Sequence, residues 1–144
     1  MDSQVFGGEH HAGRPARPVW PAMWNGMRGK CPNCGEGKLL SSFIKVVERC
    51  DHCSEDMHHH RADDLPAYLV IAVVGHVVIG GFMAVEATST LSLWQHLAIW
   101  VPITIVSSLV LLRPVKGAVV GLQWANYMHG FGGEDDSIET HPEL

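Results

Sequence analysis

Two long apolar stretches stand in an otherwise polar chain. The first runs from Leu65-Pro66-Ala67-Tyr68 to Val85-Glu86 and carries one ionisable residue between its ends, His76. The second runs from Leu91 to Leu112 without Lys, Arg, Asp or Glu, with His96 near its start and Pro102 inside it. A helix of about 22 residues is roughly 33 Å long, close to the ~30 Å hydrocarbon thickness of a bilayer. The pattern therefore predicts a transmembrane hairpin over 65–112, with helices 65–86 and 91–112 around a short loop. Asp63 and Asp64 are suited to cap the first helix, and Pro66 is tolerated in a first turn. Arg113-Pro114 is expected to end the second helix. Tyr68 and Trp94 fall near opposite ends of the pair, where amphipathic rings favour the interface. The competing reading is a buried hairpin in a soluble domain, but too little polar chain remains to cover two such helices.

The flanks have weaker patterns. Val115, Val119, Leu122 and Met128 recur at roughly helical spacing beside Trp124 and Tyr127, which predicts an in-plane interfacial helix over 113–131. Trp20, Trp24 and Met27 recur likewise beside Arg28 and Lys30, so 20–30 reads as a juxtamembrane segment on the cytoplasmic leaflet. Residues 1–19 are expected to be disordered and to hold no signal-peptide core. The acidic tail 132–144 is also expected to be disordered. The fold class is thus an α-helical membrane protein with a small N-terminal β module and a C-terminal interfacial helix.

Charge adds an orientation. Eight Lys and Arg precede the first apolar segment, two (Arg113 and Lys116) follow the second, and the loop between has none. The positive-inside rule then places both termini in the cytoplasm and the loop outside. The net charge of −5 argues against nucleic acid as a partner. Membrane lipid is the first partner expected.

All four cysteines lie in one short region, Cys31-Pro32-Asn33-Cys34 and Cys50-Asp51-His52-Cys53, with 15 residues between the pairs. Two C-x2-C pairs at this distance match structural zinc sites, because each pair grips the metal from a tight turn and two pairs complete a tetrahedron. The spacer 39–47 is rich in β-formers, so it predicts the hairpin of a ribbon over 31–57, joined to the first helix by a linker, 58–64. One structural Zn2+ is the expected cofactor, and four thiolates leave it no open position for catalysis. Disulfides, a redox dithiol and an iron–sulfur centre are the rival readings. The ribbon mixes Lys and Arg with Glu and Asp, which again argues against nucleic acid.

The histidines leave alternatives open. His58, His59 and His60 read as a solvated interfacial run or as a second metal site. His76 lies near the middle of the first apolar segment, where polar groups are costly and often functional. It shares a face with Ala72, Gly80 and Ala84, and small residues there let a neighbouring helix approach closely. A hydrogen bond to Thr104, or to a carbonyl freed by Pro102, is its plain reading; a ligand or proton relay is the functional one. Glu86 and His96 flank the loop at similar depth and are expected to pair, as an exposed couple or as an entry point for metal or protons leading to His76. No residue pattern forms a recognisable catalytic centre, so the chain is read as a non-enzyme.

Several separated motifs occur in order: Cys31-Pro32-Asn33-Cys34-Gly35-Glu36-Gly37-Lys38-Leu39, His59-His60-Arg61-Ala62-Asp63-Asp64-Leu65-Pro66-Ala67-Tyr68, Gly75-His76, Leu112-Arg113-Pro114-Val115-Lys116-Gly117, Gln123-Trp124 and Met128-His129-Gly130-Phe131. Over about residues 25–131 they resemble the bacterial family catalogued as domain of unknown function 983. The resemblance implies a multi-pass protein of the bacterial inner membrane with a zinc-ribbon motif. In alphaproteobacteria, genes of that family often lie near those for haem-copper oxidase subunits and assembly factors, and by that association the resemblance points to respiratory-complex biogenesis. A protein partner in such a complex, or a second copy, is then expected. The alternative is a metal- or haem-handling protein using His76, Glu86 and His96. Ser54 departs from the pattern, since glycine is common after the fourth cysteine.

Overall fold

Three helices carry the described part of the chain: α1, Val19–Met27; α2, Leu65–Thr88; and α3, Leu93–Ala125. The computed structural model describes residues 13–58, 64–128 and 130–131. The expectations for residues 1–12 and for the tail beyond 131 lie outside these, as do His59, His60 and Asp63.

The helices α2 and α3 form the hairpin. Both are long and apolar enough to cross a membrane. Their large apolar side chains point outward: Val77 is 68% exposed and Val110 66%, whereas the core helix of a soluble domain would bury such residues. The helices meet through a few large groups near the loop. The Trp100 ring packs where any Cβ on Gly81 would stand, and Phe82 lies edge-on to Trp100 with ring centroids 6.4 Å apart. Toward the other end, Val70 and Val74 are buried. Gln95 Oε1 accepts from the Ser92 amide at 2.8 Å and from its hydroxyl at 3.0 Å, which holds the first turn of α3. Asp64 does occupy the N-cap position of α2, but its side chain makes no capping hydrogen bond.

The second helix does not stop at Arg113-Pro114. It runs on through Pro102 and Pro114 to Ala125, for 33 residues in all. A proline inside a helix costs about 3 kcal/mol, through a lost hydrogen bond and a clash with the preceding turn. Here the turns beyond Pro114 are offset by burial. Gly117 to Gly121 and Gln123 to Ala125 are all buried. The separate interfacial helix expected over 113–131 is therefore, as far as Ala125, a continuation of α3, and most of those residues are buried.

What covers those turns is α1 and the cysteine region. Gly26 of α1 meets Gly117 of α3 so closely that a Cβ on either would overlap the other's carbonyl, and a Cβ on Gly121 would overlap that of Ala22. Small residues four apart on both helices let the backbones touch. Trp20 and Trp24 face away from this contact and are 80% and 58% exposed. One hydrophobic core joins the three parts: Ala22 from α1; Cys31, Leu39, Leu40, Val46, Cys50 and Met57 from the cysteine region; Val119, Val120, Trp124 and Ala125 from α3; and Phe131 beyond it.

The β ribbon expected over 31–57 is not formed as strands among the described residues. The segment has the ribbon's turns but only isolated antiparallel bridges, Lys30 with Lys38, Leu40 with Val46, and Arg49 with Asp56. Each bridge closes one turn. The path is set by loop hydrogen bonds such as Leu39 N to Gly29 O at 2.9 Å and Met57 N to Glu48 O at 2.8 Å. The β-formers Leu39, Leu40 and Val46 serve as core contacts of the turns, and β propensity gives way to that packing.

Candidate metal centre

The two cysteine pairs sit in matching turns. In the first, the Gly35 amide donates to the Cys31 carbonyl at 2.8 Å; in the second, the Ser54 amide donates to the Cys50 carbonyl at 3.1 Å. Both turns need a left-handed residue, and Gly35 has φ +69° and Ser54 φ +61°. Ser54 thus stands where glycine would be unstrained, as its departure from the common pattern implied. Gly37 is required for a different reason: a Cβ there would overlap Cys50 Sγ.

The turns bring all four sulfurs within 4.8 Å of one another. Cys31 Sγ lies 3.7 Å from Cys53 Sγ, and Cys34 Sγ lies 3.8 Å from Cys50 Sγ. A regular tetrahedron with metal–sulfur bonds of about 2.3 Å has edges of about 3.8 Å. The four cysteines are free thiols, and these spacings are far beyond a disulfide bond of about 2.05 Å. The arrangement fits a tetrahedrally bound metal ion and is consistent with zinc.

Electrostatics point the same way. Burial pushes the Cys31 thiol well above its usual range and raises Cys53 as well. Burial opposes ionisation of Cys34 too, but it is outweighed by the amides of Gly37 and Glu36 and by the neighbouring sulfurs of Cys53 and Cys50, so this thiol is pulled down to about 6. Those amides stand 3.5 Å from its sulfur, and the His52 amide stands 3.4 Å from Cys50 Sγ. Backbone donors aimed at sulfur are the usual support of a metal thiolate, and a cation would take the place of the protons held by the buried thiols.

The other expected site residues are scattered. His76 is exposed on the outer face of α2, and its Nδ1 lies 2.6 Å from the Ala72 carbonyl of its own helix. The Thr104 hydroxyl donates instead to the Trp100 carbonyl at 2.7 Å. The expected bond from His76 across the hairpin is therefore absent, because His76 points away from α3. Its companions Ala72 and Gly80 line a shallow groove with Gly75, Ile71 and Ile79, and a Cβ added at Gly75 or Gly80 would meet open space.

Glu86 and His96 do come together, with Oε2 2.8 Å from Nε2. The pair is not the exposed couple first expected, since His96 is only 5% exposed. The Phe82 ring covers it at 4.9 Å between centroids. The two atoms are close but outside hydrogen-bond geometry, so both ring nitrogens are buried without a hydrogen bond among the described residues. His76 is ten residues from Glu86, about 15 Å along the helix, so it does not join them in one site. His58 lines a surface dip with Glu48, Arg49 and Asp56. Among the described residues, the four cysteines form the one cluster able to hold a metal.

Sequence reasoning missed the residues that seat the centre on α3. Glu55, Asn33, Arg17 and Trp124 form a polar chain between them. Their separations in sequence reach 107 residues, and no local pattern pairs them.

Among known families, the model described as a protein of unknown function (DUF983) matches residues 40–124, more than half of the chain. The matched stretch takes in the second cysteine pair, all of α2 and nearly all of α3. No curated protein and no solved structure matches the chain.

Proposed function

Since the chain belongs to the DUF983 family, whose function is not known, we propose from its own geometry that it is a non-enzymatic membrane accessory protein with one structural zinc. The hairpin α2–α3 spans the inner membrane of a bacterium. The cysteine centre, α1 and the end of α3 form a rigid head on the cytoplasmic side, where all ten Lys and Arg belong. The exposed Trp20 and Trp24 rest among lipid headgroups. The zinc holds the head together, because a module this small buries too little apolar surface to fold alone.

The observation that carries the accessory role is the open face of α2. Gly75, Gly80 and Ala72 leave room for a second helix to approach, and His76 stands among them as a polar group without a partner from α3. An intramembrane polar residue on a small-residue face suits docking against another membrane helix. A partner protein in a membrane complex fills it, with a haem-copper oxidase or another respiratory complex the class that the family resemblance implies.

Purification of the native protein in mild detergent, with metal measured on the same sample, tests this reading. The expected result is a stable partner and one zinc per chain. The partner should be lost in His76→Leu or Gly80→Leu, and the zinc should be lost in Cys34→Ser but kept in both face variants. Free monomer in several detergents would sink the accessory role. A second metal or a haem band that disappears in His76→Ala would favour metal handling instead.

A further inference from the structure

Glu55 stands two residues past the last cysteine and faces two ways. Its Oε2 accepts from Asn33 Nδ2 at 3.4 Å, and that same nitrogen lies 3.6 Å from Cys53 Sγ. Its Oε1 accepts the Trp124 indole N–H at 3.1 Å and lies 3.7 Å from an Arg17 Nη2. Arg17 completes the knot. Its Nη1 donates to the Trp124 carbonyl at 2.9 Å, and its guanidinium stacks over the Trp124 ring at 4.2 Å and the Tyr127 ring at 4.0 Å. Trp124 is buried in the last turn of α3.

The place of Glu55 is set by the second cysteine turn, where the Cys50 amide donates to the Glu55 carbonyl at 2.9 Å. That turn is held in shape when Cys50 and Cys53 are drawn onto a common ion, since small metal modules lose their fold with their metal. Three donors converge on the carboxylate, from the first cysteine turn, from α3 and from the segment before α1. Charge-assisted contacts of this kind, partly withdrawn from water, are stronger and more directional than surface pairs.

We propose that Glu55 is a positioning residue that transmits metal occupancy of the cysteine centre to the cytoplasmic end of α3. With metal bound, Glu55 is presented to Trp124 and Arg17 and clamps the end of α3 to the head. With metal removed, the clamp opens at Trp124 while the hairpin itself stays paired. The head is then a metal-dependent latch on a membrane helix, beyond its part as a fixed platform. This rests on the reading that the cysteine centre binds zinc.

The test uses the full chain in detergent micelles, labelled to report its five Trp indole N–H groups by nuclear magnetic resonance, with Trp124 assigned from Trp124→Phe. Removing zinc with a chelator should shift or broaden the Trp124 signal, leave Trp94 and Trp100 of the hairpin in place, and be reversed by added zinc. Glu55→Ala should keep one zinc per chain yet show the Trp124 signal at its stripped position. The latch is overturned if zinc binds and its removal leaves Trp124 unmoved, or if all five signals move together as in general unfolding. Loss of zinc in Glu55→Ala would also overturn it, by making Glu55 part of the metal site. A chain that binds no zinc at all would instead overturn the metal reading on which the latch depends.

Discussion

Ser54 shows what a single residue contributes to the centre. It makes the same turn as Gly35, with the same amide-to-carbonyl bond, but carries a side chain at φ +61°. A non-glycine residue in that region costs roughly 1–2 kcal/mol, offset in part because glycine loses more freedom on folding. Ser54→Gly should therefore raise the thermal midpoint of the metal-loaded head, by a gain of up to about 1 kcal/mol. A lower midpoint on calorimetry would mean that the serine side chain does something the turn geometry does not require. Gly37 presents the opposite case, since its lack of a Cβ leaves space for Cys50 Sγ. Both cysteine pairs were legible in the sequence, because a C-x2-C turn is local chemistry. Glu55 was not, because its partners come from three separate parts of the chain.

At the scale of elements, α1 and α3 matter most. Gly117 and Gly121 look like helix-weakening residues in the sequence, and Pro114 looks like a stop. In the structure the glycines are the contact with Gly26 and Ala22, and the helix continues because that contact and the cysteine region bury its last turns. Gly117→Leu should drive α1 off α3. Overpacking typically costs about 1–3 kcal/mol, and more is expected here because backbone, not a flexible side chain, stands in the way. Limited proteolysis should then cut near residues 13–30 in the variant and spare the wild type. Equal protection of both would show that α1 is not held by this crossing. Of the residues expected at helical spacing over 115–128, Val119 is buried, Val115 and Leu122 are half-buried, and Met128 lies beyond the end of α3 and is exposed.

For the whole molecule, the orientation proposed above makes a simple prediction. A cysteine placed at Thr90, in the loop between α2 and α3, should react in intact cells with a maleimide that does not cross membranes. One placed at Ser42, in the exposed turn of the cysteine region, should react only after the membrane is opened. The reverse pattern would invert the topology.

The amino-acid sequence alone determined that two helices are long and apolar enough to span a membrane, and that four cysteines come in two matched pairs. It also brought Glu86 and His96 to the same end of a hairpin. Each of these follows from neighbours along the chain: a run of apolar residues, a two-residue spacing, a short loop. Only the tertiary structure decided that α3 passes through Pro114, that the ribbon keeps its turns without strands, and that His76 faces outward. It alone joined the cysteine centre to Trp124 through Glu55. These outcomes depend on burial between distant segments. Burial of the last turns of α3 offsets the local cost of its proline, and packing of Leu39, Leu40 and Val46 into a shared core replaces strand pairing.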